Sequence, residues 1–160
     1  MDIVALGFGS NIGDSRDILE KTINLLSQNK VYTVKVATPR LYPPLYHPED
    51  TVRDQNDYTN TVIVVQTLLS PENLLSVIKN IEESLGRKRK SSAIWEARPV
   101  DLDILLWEDL VYRSPCLEVP HPELAQRLFV LEPLAEVLPN AIHPTLKLTI
   151  GKILENLRKV

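Results

Sequence analysis

The placement of the prolines constrains this chain more than any other feature. Of its 12 prolines, four stand at positions 39, 43, 44 and 48 and three at 115, 120 and 122, between segments of regular pattern. Proline fixes φ and has no backbone donor, so the first stretch cannot be a helix or a central strand, and the second reads as a connection. The segments on either side alternate in character. Residues 3–8 read as a buried strand, residues 31–38 as a strand with one wet face, and residues 58–67 as a β-branched strand. Ile18, Leu19, Ile23 and Leu26 recur at helical spacing behind a cap at Asp14 or Ser15. A second helix over 70–85 has Ser70 as cap, Pro71 in its first turn and Gly86 as its stop. Residues 100–107 form another apolar strand, with a short return through Val111 and Tyr112. Helical pieces follow near 122–127 and 132–137, and a last helix covers 149–157. Elements that alternate across proline-broken connections predict an α+β layer sandwich rather than a doubly wound sheet. Residues 39–57 are expected to be one long loop, and such loops tend to carry function.

At 160 residues the chain is long enough for one self-sufficient core, and a single domain over 1–160 is expected. With 44% hydrophobic and 24% charged residues it is neither disordered nor fibrous. A net charge of −3 argues against a dedicated nucleic-acid binder. Cys116 stands alone, which excludes a disulfide framework and a cysteine-based zinc site and fits a reducing cytoplasm. The opening Met1-Asp2-Ile3-Val4-Ala5-Leu6 lacks the basic start and cleavage site of a secretory signal. No apolar run reaches the roughly 18 residues that span a bilayer. A cytoplasmic protein without a membrane partner is expected.

The sharpest chemical signal is Asp101-Leu102-Asp103 in an otherwise apolar strand. Side chains alternate along a strand, so the two carboxylates share one face while Leu102 and Ile104 enter the core. Carboxylates about 7 Å apart along one face repel, and a divalent cation with hard oxygen ligands offsets that repulsion. The alternative is an edge strand with a solvated acidic face. Glu82 lies at the border of the apolar face of helix 70–85, where it could steer a ligand or be an ordinary boundary residue. Arg87, Lys88, Arg89, Lys90 and Arg98 adjoin the acidic strand and form either solvated surface or a clamp for a phosphate chain. Such a run is expected to order over bound nucleotide as a lid.

The turn Gly9-Ser10-Asn11-Ile12-Gly13 matches neither a dinucleotide fingerprint nor a Walker A loop. Tyr58 and Asn60 share a face at a strand mouth, and such a pair can stack on a flat ring and bond its edge, or simply close the strand. His121 sits between Pro120 and Pro122, with Arg127 beyond it. Three scattered histidines give no zinc spacing, and no Ser-His-Asp or Cys-His set is evident.

Together these residues resemble the 6-hydroxymethyl-7,8-dihydropterin pyrophosphokinase family of folate biosynthesis. The resemblance runs through Gly9-Ser10-Asn11, Pro43-Pro44-Leu45, Asp57-Tyr58-Thr59-Asn60, Ile81-Glu82, Gly86-Arg87, Arg98 to Leu105, Val119-Pro120-His121 and Arg127-Leu128-Phe129. It implies a ferredoxin-like three-layer α/β/α sandwich around a mainly antiparallel sheet. It also implies a transferase, an ATP-dependent diphosphokinase acting on small-molecule substrates as a monomer, with ATP as co-substrate and two Mg²⁺ ions. By motif position Asp101 and Asp103 would hold the metals. Arg87, Arg98, His121 and Arg127 would engage the triphosphate, Glu82 would support the nucleotide end, and Ile104 and Leu117 would lie near adenine. Tyr58 and Phe129 would sandwich the pterin, Asn60 would bond its edge, and Pro43, Pro44 and Leu45 would close the pocket. The chain departs from the pattern at Tyr42, where threonine is common, and at Ile94-Trp95-Glu96-Ala97 before Arg98. Two rivals stand beside this reading: a metal-dependent phosphotransferase acting on another heterocycle, and a non-catalytic ligand-binding module of the same topology.

Overall fold

The computed structural model describes residues 1–11, 13–44, 57–86 and 100–160. The expected strands and helices appear in it with modest changes at their ends. Strand β1 (Asp2–Ser10) leads to helix α1 (Ser15–Gln28), whose N-cap is Asp14, accepting from the amides of Arg16 and Asp17. Strand β2 (Val31–Val36) follows, then β3 (Arg40–Tyr42) and β4 (Tyr58–Thr67). Helix α2 (Pro71–Ser84) starts where Ser70 accepts the Asn73 amide and ends before Gly86, whose φ of 106° is open to glycine. Strand β5 (Asp101–Trp107) precedes the short pair β6 (Tyr112–Arg113) and β7 (Glu118–Val119). A 3-10 turn at Leu124–Gln126, helix α3 (Leu128–Val137) and helix α4 (Ile150–Arg158) complete the described chain.

The main sheet is antiparallel in the order β2-β4-β1-β5, with β3 paired to β4 beyond the end of β2. β2 and β3 therefore lie end to end along one side of β4. The expectation that 39–57 is all loop needs correction here: residues 40–42 form a strand. It is short and lies at an edge, which is where a segment bracketed by Pro39 and Pro43 can still pair.

Alternation along the strands builds two cores. On one face Val4, Leu6, Phe8, Ile63, Val65, Leu102 and Ile104 pack with Leu26 of α1 and Leu74, Ile78 and Ile81 of α2. On the other, Ala5, Val62, Val64 and Leu105 pack with Val130, Leu131 and Leu134 of α3 and Ile150, Ile153 and Leu154 of α4. Helices thus cover both faces of one antiparallel sheet, giving the three-layer α/β/α sandwich expected from the sequence. No helix among the described residues is long and apolar enough to cross a membrane.

Candidate active site

Register carries the chemistry-bearing residues of three strands into one row. Asp101 of β5 pairs with Gly9 of β1, Gly9 pairs with Asn60 of β4, and Asn60 pairs with Arg40 of β3. Directly paired residues present their side chains on the same face, so the carboxylate and the amide look the same way. Two inter-strand spacings separate them, roughly 10 Å. Gly9 lies between and its lack of a side chain is essential: a Cβ there would come within 3.0 Å of Asn60 Oδ1 and 3.6 Å of the Tyr58 ring. This turn is therefore more than a chain reversal, because it lets the Tyr58 and Asn60 side chains lie over β1.

Asp101 and Asp103 share the face expected of them, while Leu102 and Ile104 are buried between α2 and the sheet. Asp103 keeps contact with solvent, yet protein crowds its carboxylate and the Asp101 charge lies nearby. Both effects raise its pKa, against the opposing pull of His121, Lys79 and Arg127. Crowding and the neighbouring charge both disfavour the ionised form of Asp103, so a bound cation would offset what the protein leaves uncompensated there. Among the described residues no group of three or more His, Cys, Asp or Glu side chains could by itself enclose a metal ion. Two carboxylates on one face suit Mg²⁺ nonetheless, since that ion usually completes its shell with water and substrate phosphates.

His121 and Arg127 both lie near enough to Asp103 to act on its charge. His121 follows the cis Val119–Pro120 peptide, and its amide donates to the Leu105 carbonyl at 2.9 Å, which ties its loop to the outer side of β5. Its Nδ1 accepts the Glu123 amide at 3.1 Å, so the neutral ring carries its proton on Nε2. Burial lowers the His121 pKa and the Asp103 charge opposes that shift. Arg127 stands at the N-terminus of α3, with its guanidinium 5.6 Å from the centre of the Phe129 ring.

Glu82 is the largest revision to the sequence reading. It is wholly buried rather than at a boundary, and its Oε2 accepts the Leu102 amide at 2.8 Å. Its Oε1 lies 3.4 Å from Lys79 Nζ, one helical turn earlier. The carboxylate fixes the strand between the two aspartates. Lys79 was missed in the sequence, although its i, i+3 spacing from Glu82 is the signal that could have found it. Ile104 and Leu117 are buried in the core beside α2. Pro43 is exposed and Pro44 half-buried where β3 ends. Tyr58 and Asn60 are half-buried at the mouth of β4, and Phe129 is half-buried on the first turn of α3. Leu45, Arg87 and Arg98, with the basic run expected to form a lid, lie outside the described residues.

This arrangement sets acidic oxygens and cations at one end of a row and an aromatic-rimmed amide at the other. Residues 5–139 match the family model for 7,8-dihydro-6-hydroxymethylpterin-pyrophosphokinase, HPPK. The chain belongs to the HPPK family. It is 37% identical over 148 residues to the 2-amino-4-hydroxy-6-hydroxymethyldihydropteridine pyrophosphokinase of Aquifex aeolicus, covering 90% of this chain and 85% of that protein. The enzyme of the same name from Bacillus subtilis is 38% identical over 137 residues, covering 85% of this chain and 78% of its own length. The chain also resembles the folic acid synthesis protein fol1 of Schizosaccharomyces pombe at 38% identity, with 89% of this chain matched but only 19% of that longer protein. A crystal structure of HPPK-DHPS in complex with substrates superposes with a TM-score of 0.72 at 13% identity, over 97% of this chain and 43% of the other. That likeness agrees with the ferredoxin-like layering of the HPPK family. Family membership favours the catalytic reading over the non-catalytic binding module.

Proposed function

We infer that this chain, as an ATP-dependent pyrophosphokinase, transfers pyrophosphate from ATP to the hydroxymethyl group of 6-hydroxymethyl-7,8-dihydropterin, yielding AMP and the pterin diphosphate. The observation that carries this reading is the cross-strand row Asp101–Gly9–Asn60. It puts a group able to bond a heterocycle edge on the same face as the metal-suited carboxylates, about the length of the pterin alcohol away.

The hydroxymethyl oxygen attacks the β-phosphorus in line, the bond from that phosphorus to the oxygen bridging to the α-phosphate breaks, and AMP leaves carrying that oxygen. Positioning and charge neutralisation are the main demands of such a step. Tyr58 and Phe129 stack on the two faces of the pterin, and Asn60 bonds its edge. Pro43, Pro44 and Leu45 border the pocket. Arg127 and His121 meet the triphosphate, with Arg87 and Arg98 as further cationic contacts. Ile104 and Leu117 form the apolar ground beneath the adenine end. Asp101 and Asp103 would hold two Mg²⁺ ions, which when bound neutralise the phosphate oxygens and polarise the reacting phosphorus. Glu82 acts through the backbone of β5. The reaction is expected of a monomer in the cytoplasm and needs no nucleic acid.

Product analysis tests this reading. Purified protein with MgATP and the reduced pterin alcohol yields AMP and pterin diphosphate. Release of ADP instead would mean transfer of a single phosphoryl group and would overturn it.

A further inference from the structure

Helix α3 fastens strand β3 through one face. Phe129, Glu132 and Glu136 lie at i, i+3 and i+7, along one stripe of the helix. Glu136 Oε2 accepts both the amide of Thr38, at 2.8 Å, and its hydroxyl, at 3.1 Å, and Oε1 accepts from Arg40 at 2.8 Å. Glu132 Oε1 accepts the Tyr42 phenol at 2.8 Å, while its Oε2 accepts from Arg158 of α4 at 2.9 Å. The Tyr42 ring also leans on Phe129, with centroids 6.2 Å apart and planes tilted by 59°. On the other side Tyr42 is the cross-strand partner of Tyr58. Tyr42 therefore touches or pairs with both aromatic residues assigned to the heterocycle.

We propose that Tyr42 is a positioning residue for the pterin half of the site, its bond to Glu132, its contact with Phe129 and its pairing with Tyr58 setting the gap between Tyr58 and Phe129 into which the ring enters. This inference rests on the pyrophosphokinase reading above. The hydrogen bond is charge-assisted, and Glu132 is itself anchored by Arg158, so the phenol is held against a fixed point rather than a free side chain. The Glu132 carboxyl pKa is lowered, first by the Arg158 bond, which keeps it an acceptor at neutral pH. Beyond Tyr42 the chain enters Pro43 and Pro44, so the position of this ring also sets where that pocket wall begins. Tyr42 makes its bond to Glu132 and its contact with Phe129 at the pterin end, so the effect falls mainly on one substrate and reaches the phosphate end only through the Phe129–Arg127 contact.

The test is steady-state kinetics of the full chain carrying Tyr42→Phe, which keeps the ring and removes the hydroxyl, and Tyr42→Leu, which removes both. KM for the pterin alcohol rises about tenfold in Tyr42→Phe, because the ring is no longer held against Glu132, and further in Tyr42→Leu. Turnover at saturation and KM for MgATP stay within about twofold in Tyr42→Phe, a split that general destabilisation would not produce. An unchanged pterin KM in Tyr42→Phe overturns the proposal, as does a loss spread evenly over kcat and both KM values. If the wild-type chain forms no AMP from the pterin alcohol, the pyrophosphokinase reading falls and this proposal with it.

Discussion

Glu82 Oε2 accepts the backbone amide of Leu102 at 2.8 Å from a side chain that is 1% exposed. Leu102 separates Asp101 from Asp103, so this buried carboxylate governs where both aspartates stand. It is therefore a positioning group, and its removal should harm stability and turnover together. In Glu82→Ala the Leu102 amide loses its acceptor inside the protein, which costs on the order of 1–3 kcal/mol. Urea denaturation reads the loss, and turnover falls beyond what the folded fraction explains. A variant as stable and as active as the wild type would show that β5 needs no such hold.

Asp101→Ala and Asp103→Ala should lower turnover by orders of magnitude, because each removes an oxygen ligand and a charge beside the reacting phosphates. Stability moves the other way or not at all, since the neighbouring Asp101 charge is one of the causes that raise the Asp103 pKa. Thermal melts without nucleotide, paired with rates at saturating Mg²⁺, separate the two effects. Near-normal rates in both variants would remove the aspartates from the chemistry.

Gly9→Ala tests the row across the sheet. The new methyl meets Asn60 Oδ1 at 3.0 Å and must push that side chain aside. KM for the pterin alcohol should rise at least about tenfold, one mispaired hydrogen bond's worth, while the melting temperature changes little. An unchanged KM would mean that Asn60 does not read the heterocycle.

The third histidine supplies a pH dependence away from the site. His143 Nδ1 accepts the amides of Thr145 and Leu146, and burial lowers its pKa. The fold therefore prefers the neutral ring, and protonation removes both bonds. Below about pH 6.5 the unfolded chain binds a proton that the fold resists, so stability is full above that pH and declines as pH falls through the depressed folded value. His121 is shifted in the same direction and adds a slope of the same sign. The difference between wild type and His143→Asn isolates the share of His143. Urea midpoints from pH 7.5 to 5 should fall less steeply in the variant, and parallel curves would refute this assignment.

Local patterns foretold local structure well. The strand over 58–67, the Ser70 cap and the paired faces of Asp101 and Asp103 are all dictated by residues within a few positions of one another, where side-chain period and capping act. Strand β3 escaped because three residues between prolines are too few to show a period. The burial of Glu82 was hidden for another reason: its position on the helix suggested a border, and only the docking of β5 turned that border into interior. The Tyr42–Glu132 bond joins residues 90 positions apart, a distance over which no sequence pattern operates.

Strand β5 ends the main sheet, yet its outer side is not open. The Glu82 carboxylate occupies the Leu102 amide, and the His121 amide occupies the Leu105 carbonyl. A bare sheet edge is a template on which a strand from another molecule can dock. Here two site residues stop the sheet from growing on that side. Loss of Glu82 would therefore leave a buried amide without its acceptor on the same strand that carries the aspartates, with the His121 bond as the remaining tie on that side.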